Sequence, residues 1–340
     1  MPNRRHFVKT AVGAAAGTFV LGRGLSGAAV LLQAPAAGTR RQVSIGGKRI
    51  KVIDVHGHCA IPVPEIVKGT RYEKAAPALT GPLIIGAERL KNLDEQGIDI
   101  QVLTQQGAWW YSVTDRSLAD QIVKMQNEKT AAVCKANPDR FVALASVSLQ
   151  FPDLAAQQLE DGIKRLGMRG GAIAGGSVPG KELSAPEFDP FWSKAQELGA
   201  FLFMHPSGDT GSGDAHFRGR GNLGNTIGNP LETTMFLSHL IYEGTLDRFP
   251  RLRIGAAHAG GYLPSYLGRT EAACTRQPDQ CSDKKKPVEG YFKEQVLVDT
   301  MIFREEGLRH LVAEMGPGQI FYGTDMPFPW PVSVDFILRA

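Results

Sequence analysis

Cysteine is scarce in this chain, four in 340 residues, which is too few for a disulfide scaffold. No run reaches the roughly 18 apolar residues that a membrane-spanning helix needs, because Arg23 interrupts the N-terminal apolar stretch. No glycine-rich phosphate loop follows the first strand-like run, which argues against a dinucleotide-binding sheet. A surplus of one charge is missing too. The whole chain carries 38 bases against 34 acids, and Arg4, Arg5, Lys9 and Arg23 all fall in the first 36 residues, leaving 38 − 4 = 34 bases against 34 acids. That balance removes the case for a nucleic-acid partner, and Lys284–Lys286 reads as a short solvated loop.

The first 36 residues stand apart. Asn3-Arg-Arg-His-Phe-Val-Lys9 is followed by a weakly hydrophobic Ala/Gly stretch, and Ala34-Pro-Ala36 offers a small-x-small cleavage site. This is the pattern of a twin-arginine export signal, so a twin-arginine translocase is the expected partner and a periplasmic or otherwise exported location follows. A basic tail or an anchor is the alternative. In an oxidising compartment Cys274 and Cys281, which flank a polar loop, are able to pair. The expected organisation is a signal over 1–36, an arm over 37–49 and one domain over 50–340.

Beyond residue 50, short apolar runs alternate with amphipathic segments, and no linker is long enough to divide domains. Strands are expected at Ile50–His58, Ile98–Thr104, Phe141–Val147, Gly170–Ala174, Phe201–His205, Leu252–His258, Gln295–Asp299 and Gln319–Thr324. Helices are expected at Ala87–Gln96, Ser117–Asn137, Asp153–Leu166, Pro186–Leu198, Leu231–Phe249, Leu263–Ala273 and Arg304–Met315. Eight near-continuous apolar strands alternating with helices imply an α/β fold with a parallel sheet closed into a (β/α)8 TIM barrel. Only Ser333–Ala340 remain for an eighth helix, which is therefore expected to be incomplete, with a truncated C-terminus as the favoured reading.

Metal-type side chains sit at the ends of these strands: His56 and His58 on the first, His205 on the fifth, Asp325 after the last. Imidazoles and a carboxylate from separate strand ends are what a zinc-like divalent ion requires, with room for a reactive water. Period-two alternation puts His56 and His58 on one face, with Asp54 one pleat deeper as a partner for an imidazole and Cys59 turned away into packing. His258 ends another strand and reads as a fifth member with a different task, or else as a fifth ligand or a structural histidine.

Six stretches, Asp54-Val-His-Gly-His58, Leu93-Asp-Glu-Gln-Gly97, His205-Pro206, Asn229-Pro-Leu-Glu-Thr-Thr234, His258-Ala-Gly-Gly261 with Gly268-Arg269, and Thr324-Asp-Met-Pro-Phe-Pro329, appear in order from residue 50 to about 330. In them the chain resembles the amidohydrolase-related family, in the branch of aminocarboxymuconate semialdehyde and resorcylate-type decarboxylases. The resemblance implies one divalent ion, zinc first and manganese second, held by His56, His58, His205 and Asp325, with His258 activating the bound water. The bridging lysine of two-metal relatives has no counterpart in Met168–Ala174, so a single-metal site is implied.

Decarboxylation of an aromatic or unsaturated carboxylic acid is the leading reaction, with His258 or Asp325 returning a proton to carbon. Hydrolysis of a lactone, amide or ester by the same site is the alternative, and a non-catalytic metal-binding barrel the third. Trp109, Trp110, Phe328 and Trp330 are candidate walls for a planar substrate, or packing beneath a loop. Arg218 and Arg220 are candidate carboxylate contacts, or solvated. Arg269 matches an arginine that reaches a neighbouring subunit in the decarboxylase, implying a homodimer. The decarboxylase's own substrate arginine has no match, since Thr70–Gly86 offers only Arg71, out of register.

Overall fold

A computed structural model describes residues 40–77, 80–207 and 217–340; the expected export signal over 1–36, and His216 in the segment that follows the fifth strand, lie outside the described residues. Eight parallel strands form the centre: β1 Ile53–Cys59, β2 Ile100–Gln105, β3 Phe141–Ala143, β4 Gly170–Ala174, β5 Phe201–His205, β6 Arg253–Ala256, β7 Val296–Asp299 and β8 Ile320–Phe321. They pair in two ladders, β1-β2-β3 and β4-β5-β6-β7-β8. Two parallel bridges, Ala145 with Gly171 and Gly57 with Met326, join the ladders at both seams and close the barrel. The expected (β/α)8 architecture is therefore the observed one.

Around the strands lie α1 Ala87–Gln96, α2 Arg116–Ala136, α3 Pro152–Lys164, α4 Asp189–Glu197, α5 Asn229–Tyr242, α6 Leu267–Arg276, α7 Val288–Glu294, α8 Glu305–Met315 and α9 Val334–Arg339. Their ends follow local chemistry. Asp115 caps α2 by accepting from Leu118 N at 2.8 Å. Gly97 ends α1 in the left-handed conformation, φ 75°, and its hydrogen lies against Val43, where a Cβ would come within 2.9 Å of a methyl group. Among the described residues no helix is long and apolar enough to cross a membrane.

Val102, Leu144, Ala172, Phe203 and Ala257 fill the barrel interior, and a larger layer that includes Leu202, Met204, Ile254, Val296 and Val298 packs strands against helices. Several boundaries differ from expectation. The segment expected as one helix over 231–249 breaks at Gly244, whose φ of 71° ends α5 and starts the single turn Thr245–Arg248. The segment over 186–198 opens as a 3-10 turn, Pro186–Phe188, and that over 263–273 as Leu263–Tyr266. Helix α7 was not foreseen. The eighth helix is six residues long, as its sequence allowed, and buries Val334 and Phe336.

The arm is a hairpin, Ser44–Ile45 with Lys48–Arg49. Arg40 and Arg49 reach the buried Asp99, which also accepts from Val52 N at 2.9 Å. Cys274 and Cys281 form a disulfide across seven positions. In the chain-entropy account a loop this short stabilises by about 2.5 kcal/mol. Cys274→Ser combined with Cys281→Ser is thus expected to lower the thermal midpoint by roughly 5 °C, read by calorimetry; an unchanged midpoint would mean the thiols do not pair in solution.

Candidate metal centre

The strand ends bring His56, His58, His205 and Asp325 together, with one ligand atom from each inside a mutual span of 4.8 Å. His56 Nε2 lies 3.0 Å from His58 Nε2 and 3.2 Å from Asp325 Oδ1, and His58 Nε2 lies 2.9 Å from the same oxygen. The His205 ring stands 4.4 Å from that of His58, and its Nε2 is buried with no hydrogen-bond partner among the described residues. Lone pairs from three imidazoles and a carboxylate do not gather out of water without a cation to share. The donor set fits a divalent ion.

The surroundings fix these groups. His56 Nδ1 donates to Asp299 Oδ2 at 2.7 Å, which leaves the Nε2 lone pair facing the cluster. Trp330 Nε1 donates to Asp325 Oδ2 at 2.7 Å, so Oδ1 is the oxygen turned inward. Asp325 has a φ of 57°, and its own N–H bonds to His56 O at 2.9 Å, so β8 delivers the carboxylate through a turn rather than by straight extension. Gly323 permits this path, because a Cβ there would come within 2.7 Å of His56 Cβ and 3.1 Å of Asp299 Cβ.

Asp54 corrects the sequence reading. Its carboxylate touches no imidazole. It accepts from Gln101 Nε2 at 2.7 Å, Thr324 N at 3.0 Å, Thr324 Oγ1 at 2.6 Å and the backbone of His56 at 3.1 Å. Asp54 therefore ties β1 to β2 and to the chain after β8, and the imidazole partner is Asp299 instead. The register slips between Asp54 and Gly57, and this bulge removes the alternation on which the expectation rested. Buried Arg89 completes the support, donating to Gln101 Oε1 at 2.8 Å and to His58 O at 2.9 Å.

His258 is not a strand residue, since β6 stops at Ala256. It opens a turn in which His258, Ala259, Gly260 and Gly261 all have positive φ, between 56° and 74°. For the two residues with side chains that conformation costs about 1–2 kcal/mol each. The turn sets the imidazole 5.1 Å from the His205 ring and 5.8 Å from that of His56.

Burial pushes the pKa values of His58 and His205 down, and that of His258 to about 4, so these rings are neutral. His56 is also buried, but Asp325 and Asp299 outweigh burial and raise it to about 10. Burial alone would raise Asp325, yet the charge and hydrogen bonds of His56 and His58 hold it well below the usual carboxylate range. The pocket thus demands positive charge, which a divalent cation supplies.

The other candidates divide. Phe328 is exposed at the mouth, its ring 5.9 Å from that of His58. Trp330 stacks on Phe303 at 5.3 Å and holds Asp325, so it acts on a candidate ligand as well as lining the mouth. Trp110 is core instead of wall: it is fully buried and its indole donates to Val147 O at 2.9 Å. Trp109 packs half-buried against the same core. Arg218 and Arg220 are exposed, and Arg71 is held by Tyr72 and Thr114. Cys59 is buried in packing, with its thiol pushed up to about 12. His239 pairs with Glu243 on α5, and His310 with Glu314 on α8.

Known proteins resemble this chain in sequence and shape. A 2-amino-3-carboxymuconate-6-semialdehyde decarboxylase of Dictyostelium discoideum is 29% identical over 280 residues, 82% of this chain and 75% of its own length. A crystal structure of 2,6-dihydroxybenzoate decarboxylase complexed with 2,6-dihydroxybenzoate superposes with a TM-score of 0.71 at 28% identity, covering 82% of this chain and 88% of that one. The 5-carboxyvanillate decarboxylase of Novosphingobium aromaticivorans, complexed with manganese and 4-hydroxy-3-methoxy-5-nitrobenzoic acid, does so with a TM-score of 0.72 at 25% identity, covering 86% and 90%. The family profile described as amidohydrolase spans residues 53–333, from the first strand to the start of the last helix. On that span this chain belongs to the amidohydrolase family of enzymes.

Proposed function

We propose that this chain is an exported, mononuclear metal-dependent decarboxylase acting on an aromatic or unsaturated carboxylic acid. The observation that carries the reading is the four-residue cluster of His56, His58, His205 and Asp325. Zinc is the first candidate ion, and manganese is supported by the carboxyvanillate decarboxylase complex. When bound, the ion supplies a Lewis acid that holds an anionic substrate and draws off the charge left as carbon dioxide departs.

The chain's own groups do the rest. Asp299 and Trp330 keep His56 and Asp325 in place before substrate arrives, so little reorganisation is needed. Phe328 and Trp330 offer aromatic faces for a planar ring at the mouth. Loss of carbon dioxide from a carboxylate leaves an electron pair on carbon, and one proton must be delivered there. His258, neutral and half-buried beside the cluster, is placed to take up a proton from solvent and pass it to that carbon, whereas Asp325, held well below the usual carboxylate range, is the weaker candidate.

Export through the twin-arginine translocase is supported by the N-terminal motif, and a disulfide suits an oxidising compartment. A homodimer completes the proposal. Exposed Arg269 on α6 borders an apolar hollow of about 710 Å³ lined by Tyr242, Tyr262 and Tyr266.

The test is carbon dioxide release from 2,6-dihydroxybenzoate and related hydroxylated aromatic acids by the zinc- or manganese-loaded protein. Release from one of these acids is the expected result. Hydrolysis of lactones or esters without decarboxylation would replace the reading with a hydrolase, and metal binding without turnover of either class would leave a binding barrel.

A further inference from the structure

We propose that Asp299 is the positioning residue that couples the metal ligand His56 to His258 through a single carboxylate; this rests on the metal-dependent reading above. Asp299 is fully buried at the end of β7. Its Oδ2 accepts from His56 Nδ1 at 2.7 Å and from the backbone N–H of His258 at 3.1 Å. Its Oδ1 accepts from the backbone N–H groups of Ala259 at 2.7 Å and Met301 at 3.0 Å. Four donors on one anion leave little freedom.

Two of those donors are successive N–H groups of the left-handed turn that presents the His258 imidazole. Successive N–H groups in such a turn form a cradle for an anion, and Asp299 fills it. The same oxygen that orients His56 also holds the start of that turn. Gly323 lets the backbone after β8 approach both His56 and Asp299, since a Cβ there would come within 2.7 Å of His56 Cβ and 3.1 Å of Asp299 Cβ. The placement of His56 and the placement of His258 are therefore not independent: both depend on Asp299.

Asp299→Asn, Ala259→Gly and the double variant separate this role from simple support of the fold. Zinc affinity, read by competition with a chelator in the absence of substrate, is expected to fall about 10–100-fold in Asp299→Asn. Its thermal midpoint should fall as well, because the turn loses its anion. Glycine adopts positive φ freely, so Ala259→Gly in the Asp299→Asn background should recover part of the midpoint and none of the zinc affinity. Wild-type zinc affinity in a folded Asp299→Asn protein would overturn the proposal, as would recovery of affinity in the double variant. If Asp299→Asn does not fold, the wild type answers: a downfield His56 Nδ1–H proton resonance marks the imidazole–carboxylate bond, and its absence overturns the proposal. A wild type that binds neither zinc nor manganese would instead remove the functional reading itself.

Discussion

Asp325→Ala is expected to empty the site of metal and to cut carbon dioxide release by roughly 10³–10⁴-fold, the rate equivalent of several kcal/mol of lost charge stabilisation. Asp325 is the one anion among the four ligand residues, and its Oδ1 lies 2.9 Å from His58 Nε2 and 3.2 Å from His56 Nε2. Three imidazoles, none of which carries negative charge, do not replace it. The fold should survive, because the barrel seam here is made by backbone: Asp325 N bonds to His56 O, and Met326 bridges to Gly57. Alanine at a φ of 57° costs about 1 kcal/mol. A midpoint shift of roughly 2–4 °C is therefore the expected penalty. Calorimetry beside the activity assay distinguishes this outcome from unfolding.

The second large effect concerns His258. His258→Asn is expected to lower turnover about 10²–10⁴-fold, the usual worth of a positioned acid or base, while metal content stays at the wild-type level. Asparagine suits the experiment because it tolerates positive φ better than most residues, so the turn held by Asp299 should persist. It cannot take up and return a proton as imidazole does. Single-turnover carbon dioxide release and metal analysis on the same sample read both quantities. Turnover lost together with the metal would make His258 a fifth ligand, and turnover unchanged would remove it from the proton path.

Much of this was legible because buried parallel strands leave a plain record. All eight strands overlap the apolar runs read from the sequence, and the His-x-His pair, His205 and Asp325 stand at the ends of three of them. The departures arise where the chain leaves regular geometry. Nothing in the residue types at His258 and Ala259 announces positive φ; only Gly260 and Gly261 hint that β6 stops early. After β8, Tyr322 to Asp325 bond to β1 through Val55 N and His56 O instead of extending a ladder, so the last strand is two residues long. Helix α7 is seven residues long and follows a lysine-rich loop, too short to show periodicity.

The supporting residues were the least visible. Asp299 ends a strand-like run as the ligand residues do, and an acid in that position was a signal that sequence reading passed over. Asp54 was given the face and the partner of the ligand pair, since the bulge before Gly57 cannot be seen in one dimension. Trp110 and Trp330 look alike in sequence. Only packing sends one indole to a core carbonyl and the other to a ligand carboxylate.

The central claim is that these four strand-end residues hold one catalytic divalent ion. Mass spectrometry of metal content on the purified wild type, beside His56→Ala and Asp325→Ala, tests it most directly. The account predicts about one zinc or manganese per wild-type chain, in keeping with a four-residue, single-ion donor set, and loss of that metal in both variants. A folded wild type without metal, or variants that retain it in full, would contradict the account.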